Sequence, residues 1–179
     1  MLRALCLTLA LLLITPFSEA QAVDEKYLII ELTSGEVCIE MLPDVAPGHV
    51  ARITELAKEK FYDGVVFHRV IDGFMAQTGD PTGTGTGGSN KPDLQAEFSN
   101  LPFDRGVVGM ARTSAPHSAN SQFFIMFAEG HFLNNQYTVW GRVVKGMEAV
   151  DNIKRGEGQS GIVKEPDAMK SVRVSATCP

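Results

Sequence analysis

Two short stretches of this chain bring together residues that could bind and polarise a substrate. In the first, Arg69 and Gln77 enclose the apolar pair Phe74 and Met75, with glycines nearby. In the second, the run 121–126 reads Ser-Gln-Phe-Phe-Ile-Met. We expect the two stretches to form one pocket that is apolar inside and carries a fixed positive charge at its rim. No constellation of Ser, Cys, His or carboxylate side chains accompanies them, so the pattern favours a reaction that rotates a bond rather than breaking one.

Arg69 is the candidate catalytic group in this pattern. Taken alone, an arginine between a histidine and a valine is more often a surface charge. The apolar pair and the amide of Gln77 that follow it favour a positioned guanidinium instead, because an arginine at the edge of a buried site needs a hydrogen-bonding partner to keep its orientation.

Other motifs that are typical of dinucleotide, metal or hydrolase sites are excluded by the residues around them. The run Gly83–Gly88 matches G-x-G-x-x-G, but Asp-Pro precedes it and no helix follows, so a surface loop with unusual backbone angles is predicted rather than a dinucleotide site. The 4 histidines have no second ligand at metal-binding spacing, and the sequence contains no G-x-S-x-G elbow. We therefore expect no metal and no other cofactor.

The elements that must position these residues begin with a hairpin and a helix. Residues 27–33 and 36–41 have the composition and alternation of strands, and the Ser-Gly between them predicts a tight turn. A helix is predicted from about residue 46 to residue 60, with Arg52 and later charged residues mostly on its polar face. Its apolar stripe repeats every three or four residues: Ala46, Val50, Ile53, Ala57 and Phe61.

The rest of the chain is predicted to be rich in short strands. The clearest ones are 106–112, 121–127, 138–144 and 169–174. A second short helix is expected from Met147 to about Lys154, followed by a polar loop at 156–166. Because both faces of 123–127 are apolar, one face must pack on the core and the other must be covered by a helix or a ligand pocket. The pattern predicts a mostly antiparallel sheet or barrel with helical covers.

The first residues are predicted to direct export. A positive residue precedes an apolar run at 7–14, and Ala20-Gln21-Ala22 supplies a cleavage site, with cleavage after Ala20 as an alternative. A transmembrane anchor is disfavoured because the run is shorter than the ~20 residues that span a bilayer. We expect residues 1–22 to be a cleaved signal peptide and 23–179 to be one domain that has no membrane attachment after cleavage.

The net charge and the cysteine content limit the class of partner and indicate the redox state of the cysteines. The net charge of −5, without a basic run, argues against nucleic acid as a partner. The mature chain keeps Cys38 and Cys178, and an oxidising compartment permits a disulfide between them. Since two distant cysteines in a domain with a real core are more often separate thiols, we expect them to be free rather than bonded.

One segment resembles the signature of cyclophilin-type peptidyl-prolyl cis-trans isomerases: residues 67–80 read F-H-R-V-I-x-G-F-M-x-Q-x-G-D. Met110-Ala111 and the run 121–125 resemble its second half, and the resemblance extends over about residues 27–176. The stretch 111–122, with a charged residue after Ala111, resembles the bacterial branch. The export signal is therefore interpreted as one for the periplasm.

This resemblance implies a fold, an activity and a class of partner. The fold would be mainly β, a closed eight-stranded antiparallel β-barrel capped by two α-helices, with Phe123 and Ile125 facing the core and Phe124 facing an outer groove. The activity would be rotation about X-Pro peptide bonds, assisting the folding of exported proteins. The partners would be proline-containing polypeptides, and the protein is expected to be a monomer.

The family's residue roles carry over to the matching positions. Arg69 would donate a hydrogen bond to the proline nitrogen in the twisted state, and Gln77 would orient Arg69 and contact the substrate backbone. Four apolar residues would form the proline socket: Phe74, Met75, Phe124 and Leu133. The remaining contacts would come from the main chain of Ala111 and Arg112, from Gln122 in the adjacent pocket, and from Phe132 and Tyr137.

Three positions depart from the family's usual residues. Phe132 stands where many members carry tryptophan, Tyr137 where many carry histidine, and Arg112 where asparagine is common. We expect these changes to alter the rim and to weaken cyclosporin binding more than they alter turnover. A peptide-binding chaperone with little turnover is the alternative, and the intact Arg69 favours the enzyme.

Overall fold

The computed structural model of this protein describes residues 25–179, so the predicted signal peptide lies outside the described residues. The fold opens with a hairpin of β1 (Tyr27–Leu32) and β2 (Gly35–Met41), followed by α1 (Pro47–Lys58). The next strands are β3 (Arg69–Ile71), β4 (Met75–Thr78), β5 (Val107–Met110) and β6 (Phe123–Met126). The chain ends with β7 (Val139–Lys145), α2 (Met147–Asp151) and β8 (Ser171–Ser175). The predicted strands and helices are confirmed, although α2 ends earlier than expected. No helix within residues 25–179 is long and apolar enough to cross a membrane.

All eight strands belong to one curled antiparallel sheet, in the order β3-β4-β6-β5-β7-β2-β1-β8. The mainly β, eight-stranded fold with two helices is confirmed. The sheet is an open half-barrel, however, whereas the family resemblance implied a closed barrel. Near the gap, the segments that precede β3 and β8 are joined by an isolated bridge between Val66 and Ala168 and by backbone hydrogen bonds, including Gly64 N–H to Met169 O at 2.7 Å, but not by a continuous ladder of strands. The outer edge of β3 is occupied instead by residues 156–163, because Val70 N–H donates to Gly161 O at 2.7 Å and Gly156 N–H donates to Val70 O at 2.8 Å.

The strand β6 has no exposed residue, as its doubly apolar sequence predicts. Phe123 and Ile125 pack in the main core, where Phe123 makes edge-to-face contacts with Tyr62 and Trp140. Phe124 belongs to a second, smaller cluster on the other face of the sheet. The alternating directions of side chains along a strand thus separate the residue that faces the groove from its two core neighbours.

The helix α1 packs its predicted apolar stripe on the core, but two of its polar residues are buried as well. His49 is 0% exposed and Arg52 is 8% exposed, so the expectation that Arg52 lies on a polar outer face is wrong. The guanidinium of Arg52 donates to the carbonyls of Pro92 and Asn120. Glu97 accepts from His49 Nδ1 at 2.6 Å, and burial lowers the pKa of His49 despite that carboxylate. The face is buried because the 88–97 segment covers it.

Cys38 and Cys178 form a disulfide, with their Cα atoms 5.9 Å apart, so the expectation of free thiols is wrong. Cys38 lies on β2, beside β1, and β1 pairs in turn with β8. The residues after Ser175 bring Cys178 back to β2, within the distance that a disulfide requires. The sequence separation of 140 residues conceals this proximity.

Candidate active site

The candidate site is built on a row of residues that face one another across adjacent strands. Arg69 on β3 is opposite Gln77 on β4, Gln77 is opposite Phe124 on β6, and Phe124 is opposite Gly109 on β5. Directly opposed residues of an antiparallel sheet place their side chains on the same face, about 5 Å apart. The sheet therefore aligns the cation, the amide and the aromatic ring that the sequence singles out.

A cavity of about 310 Å³ opens over this row. Its lining contains every predicted site residue except Gln122: Arg69, Phe74, Met75, Gln77, Ala111, Arg112, Phe124, Phe132, Leu133 and Tyr137. Met75, Phe124 and Leu133 are buried and form the apolar interior, while Phe132 is 66% exposed and lies at the rim against Phe74. The arrangement suits a small apolar ring that enters beside a charged group.

Two residues beneath the cavity were missed by the sequence analysis. Phe103 is fully buried and stacks under Phe124, with ring centroids 5.7 Å apart. Gly109 leaves room for both rings, since a Cβ there would lie 2.5 Å from Phe124 and 2.6 Å from Phe103. A glycine within a predicted strand was the available signal, because such a residue often marks a close approach.

The guanidinium of Arg69 is held at two of its three nitrogens. Nη1 donates to Gln77 Oε1 at 3.3 Å, which is the contact that the sequence predicts. Nε donates to the carbonyl of Ser160 at 3.1 Å, a partner that the sequence analysis did not find. Within residues 25–179, Nη2 makes no hydrogen bond. Both of its N–H groups are therefore available to a ligand in the cavity.

Gln122 lies between the two sides of the site. Its Oε1 accepts from Gln77 Nε2 at 2.9 Å, and its own Nε2 donates to the carbonyls of Gly85 and Gly87. It lines a second cavity of about 490 Å³ that shares Gln77, Ala111 and Arg112 with the first. The structure thus places Gln122 in an adjacent pocket, as predicted, and connects it to Arg69 through Gln77.

Asp80 organises the glycine-rich loop that holds Gln122. Its Oδ1 accepts from the N–H and hydroxyl of Thr82, and its Oδ2 accepts from the N–H groups of Gly85 and Gly87. Burial acts to raise the pKa of this carboxyl, but the donated hydrogen bonds prevail and lower it to about 2. Gly83 and Gly85 adopt φ of +69° and +86°, so the predicted unusual backbone angles are present.

The main chain of Ala111 is only partly free for a substrate. Its N–H donates to Gln122 O at 2.9 Å, which leaves the carbonyl as the group that can pair with an extended peptide. The side chain of Arg112 donates to carbonyls of its own chain, including that of Gln136, and lies 4.5 Å over the ring of Tyr137. Arg112 therefore shapes the rim between the two cavities.

Comparisons with known proteins identify the family of this chain. The family model described as "Cyclophilin type peptidyl-prolyl cis-trans isomerase/CLD" matches residues 27–174. The chain is 55% identical over 170 residues to a "Probable peptidyl-prolyl cis-trans isomerase" of Brucella suis, with 88% of this chain and 87% of that protein covered. It is 39% identical over 150 residues to peptidyl-prolyl cis-trans isomerase B of Bacillus subtilis, with 83% and 96% covered.

The solved structures that it resembles are cyclophilins. One is a cyclophilin-type isomerase of Cryptosporidium parvum, with a TM-score of 0.78 and 27% identity over 86% of this chain and 99% of that one. The same protein crystallised in the presence of the dipeptide Ala-Pro gives a TM-score of 0.76 and 28% identity, with 83% and 98% covered. On the family match over residues 27–174, the 55% identical relative and the shared fold, the chain belongs to the cyclophilin-type peptidyl-prolyl cis-trans isomerases.

Proposed function

We propose that Arg69 is the catalytic group of this isomerase and that the 310 Å³ cavity receives the proline ring of the substrate. The observation that carries the proposal is the guanidinium of Arg69, held at Nε and Nη1 and lining the cavity. A donor fixed in this way needs no reorganisation at the moment of reaction.

The chemistry of the X-Pro bond explains why one fixed donor is enough. The barrier to rotation is roughly 18–20 kcal/mol, because the twisted amide loses its resonance. In that state the proline nitrogen regains its lone pair and becomes a hydrogen-bond acceptor, which it is not in the planar amide. A hydrogen bond from Arg69 Nη2 is then stronger in the transition state than in the ground state, and this difference lowers the barrier.

The remaining residues bind the substrate on both sides of the proline. Phe74, Met75, Phe124 and Leu133 would enclose the ring, whose burial contributes about 25 cal/mol per Å² of apolar surface. The Ala111 carbonyl and the amide of Gln77 would pair with the peptide backbone, and the 490 Å³ cavity beside Gln122 would receive the residue that precedes the proline. The Ala-Pro dipeptide named with the Cryptosporidium cyclophilin supports a proline-containing ligand.

The proposed clients are exported proteins, and the proposed compartment is the periplasm. The apolar run and cleavage motif within residues 1–22 support export. The bond between Cys38 and Cys178 supports it independently, because disulfides persist in oxidising compartments and are reduced in the cytosol. Fractionation of cells that express the full chain, with mass analysis of the processed N-terminus, tests this proposal. A full-length product in the cytosol would contradict it.

The catalytic proposal is tested by Arg69→Ala in a proline-limited isomerisation assay. We expect kcat/KM to fall at least about a hundredfold, since removal of one preorganised donor typically costs that much. Arg69→Lys should be nearly as impaired, because the three donors of an ammonium radiate from one nitrogen and cannot reproduce the separate positions of Nε, Nη1 and Nη2 in the planar guanidinium. Arg173→Ala, on β8 and paired with Glu36, is the matched control for loss of a half-exposed arginine. Near-parental activity of a folded Arg69→Ala protein would refute the mechanism.

A further inference from the structure

We infer that the hairpin of residues 156–163 is a positioning element for the catalytic arginine, and that Gly161 is the residue on which its position depends. The inference rests on the proposed role of Arg69. In the sequence this segment is a polar loop outside the motifs of the family signature. In the structure it contributes the Ser160 carbonyl, which accepts from Arg69 Nε at 3.1 Å.

The hairpin is attached to the catalytic strand along its whole outer edge. Gly161 O and Gly156 N–H pair with the two main-chain groups of Val70, and Val163 N–H donates to His68 O at 3.1 Å. Within the hairpin, Glu157 N–H donates to Ile162 O. The segment thus acts as an additional strand beside β3, and the position of Ser160 is fixed relative to Arg69 by backbone pairing.

This attachment places the two partners of Arg69 on opposite sides of its strand. Gln77 comes from β4, on the inner side of β3, and Ser160 comes from the hairpin, on the outer side. A planar guanidinium that is held at Nε and at Nη1 cannot rotate about its long axis. Loss of the Ser160 carbonyl would leave Gln77 as the single restraint, and Nη2 would no longer be fixed over the cavity.

Gly161 is the point at which the hairpin approaches β3 most closely. It is buried, with φ of +68°, and a Cβ there would overlap Ile71 Cγ1 and lie 3.1 Å from Val70 O. A side chain at Gly161 must therefore displace Ile71 on β3 or move the hairpin away from that strand. Gly158 lies in the same hairpin with φ of +58°, but it is exposed and a Cβ there would meet nothing within 4 Å. Alanine would adopt a strained positive φ at both positions, but only at Gly161 would its Cβ collide with β3.

The experiment compares Gly161→Ala, Gly158→Ala and Arg69→Ala in the mature protein. We expect Gly161→Ala to lose about tenfold or more in kcat/KM, because displacement of a reacting group by about 1 Å can cost up to about a hundredfold. Its dissociation constant for a proline peptide should stay within about twofold of the parent, since the apolar socket is untouched. Gly158→Ala should keep parental kcat/KM.

A spectroscopic readout separates positioning from a general loss of structure. The Nε–H of Arg69, assigned by its disappearance in Arg69→Ala, should exchange slowly with water in the parent and faster in Gly161→Ala. Fast exchange in the parent would overturn the inference even if Gly161→Ala failed to fold. Equal losses of activity in both glycine variants, or parental activity in Gly161→Ala, would also overturn it. Activity retained by Arg69→Ala would instead refute the proposed mechanism.

Discussion

The buried carboxylate of Asp80 offers the sharpest test of how the site is held. Asp80→Asn keeps the size of the side chain but replaces one accepting oxygen by an NH₂ group. If that group takes the place of Oδ2, it faces the N–H groups of Gly85 and Gly87; if it takes the place of Oδ1, it faces the N–H of Thr82. In either orientation at least one backbone N–H of the loop loses its acceptor.

The magnitude follows from these contacts. A hydrogen bond to a charged group contributes about 1.5–3 kcal/mol, so we expect Asp80→Asn to reduce the free energy of unfolding by about 2–4 kcal/mol at pH 7. The lowered pKa of Asp80 has the same cause and is of the same size: its decrease from 3.8 to about 2 corresponds to about 2 kcal/mol of stabilisation of the ionised form in the folded state.

Urea unfolding of a chain of residues 23–179 measures this loss directly. Asp72→Asn is the control, because Asp72 is exposed and forms one surface ion pair with Arg155, so it should change stability by less than about 1 kcal/mol. We also expect Asp80→Asn to lower kcat/KM, since the carbonyls of Gly85 and Gly87 hold Gln122. An Asp80→Asn protein with parental stability would refute the view that this carboxylate organises the loop.

Four further outcomes are expected. Because the folded-state pKa of Asp80 is depressed, its contribution to the free energy of unfolding is complete above about pH 4 and is lost as the pH falls towards 2. Acid unfolding of Asp80→Asn should therefore lack this pH-dependent loss of stability. Cys178→Ser should lower the free energy of unfolding by about 2–5 kcal/mol, since the disulfide spans 140 residues, and parental stability of the variant would contradict this. Thiol titration of a denatured, unreduced chain of residues 23–179, which lacks Cys6, should find no free thiol. Phe132→Trp should tighten inhibition by cyclosporin about tenfold by adding an indole donor, and equal inhibition constants would show that the donor is not limiting. Gly109→Ala should weaken binding of a proline peptide about tenfold by displacing the ring of Phe124, a loss that calorimetry would detect.

The sequence predicts the strands and the socket because their signals are local. Both faces of the run at 123–127 are apolar, and this alone indicates that Phe124 faces something other than water. Arg69, Gln77 and Phe124 then converge because opposed residues of neighbouring strands share a face. The register of these three strands therefore aligns the three side chains in one row on the same face of the sheet.

The sequence-based predictions were wrong for residues whose surroundings are formed by a segment distant in the sequence. Arg52 has the charge of a surface residue, and only the 88–97 segment makes its face of α1 an interior one. The partner of Cys38 lies beyond the last strand, so no periodicity indicates it. Ser160 acts through its carbonyl, which every residue possesses, so its type carries no signal; the glycines around it were the available indication of a tight turn.

The disulfide also determines how this domain would respond to mechanical tension. Tyr27 is opposite Ser175, so the two ends of the described chain emerge side by side. A force pulling at residue 179 passes through Cys178 directly to Cys38 on β2, and only the segment from residue 25 to Cys38 can be extended. That segment spans at most ~45 Å, whereas the reduced chain would extend to ~500 Å at ~3.3 Å per residue. The strands β3 to β7, which carry the groove, lie inside the loop that the disulfide closes, so tension on the oxidised chain does not pull on them directly.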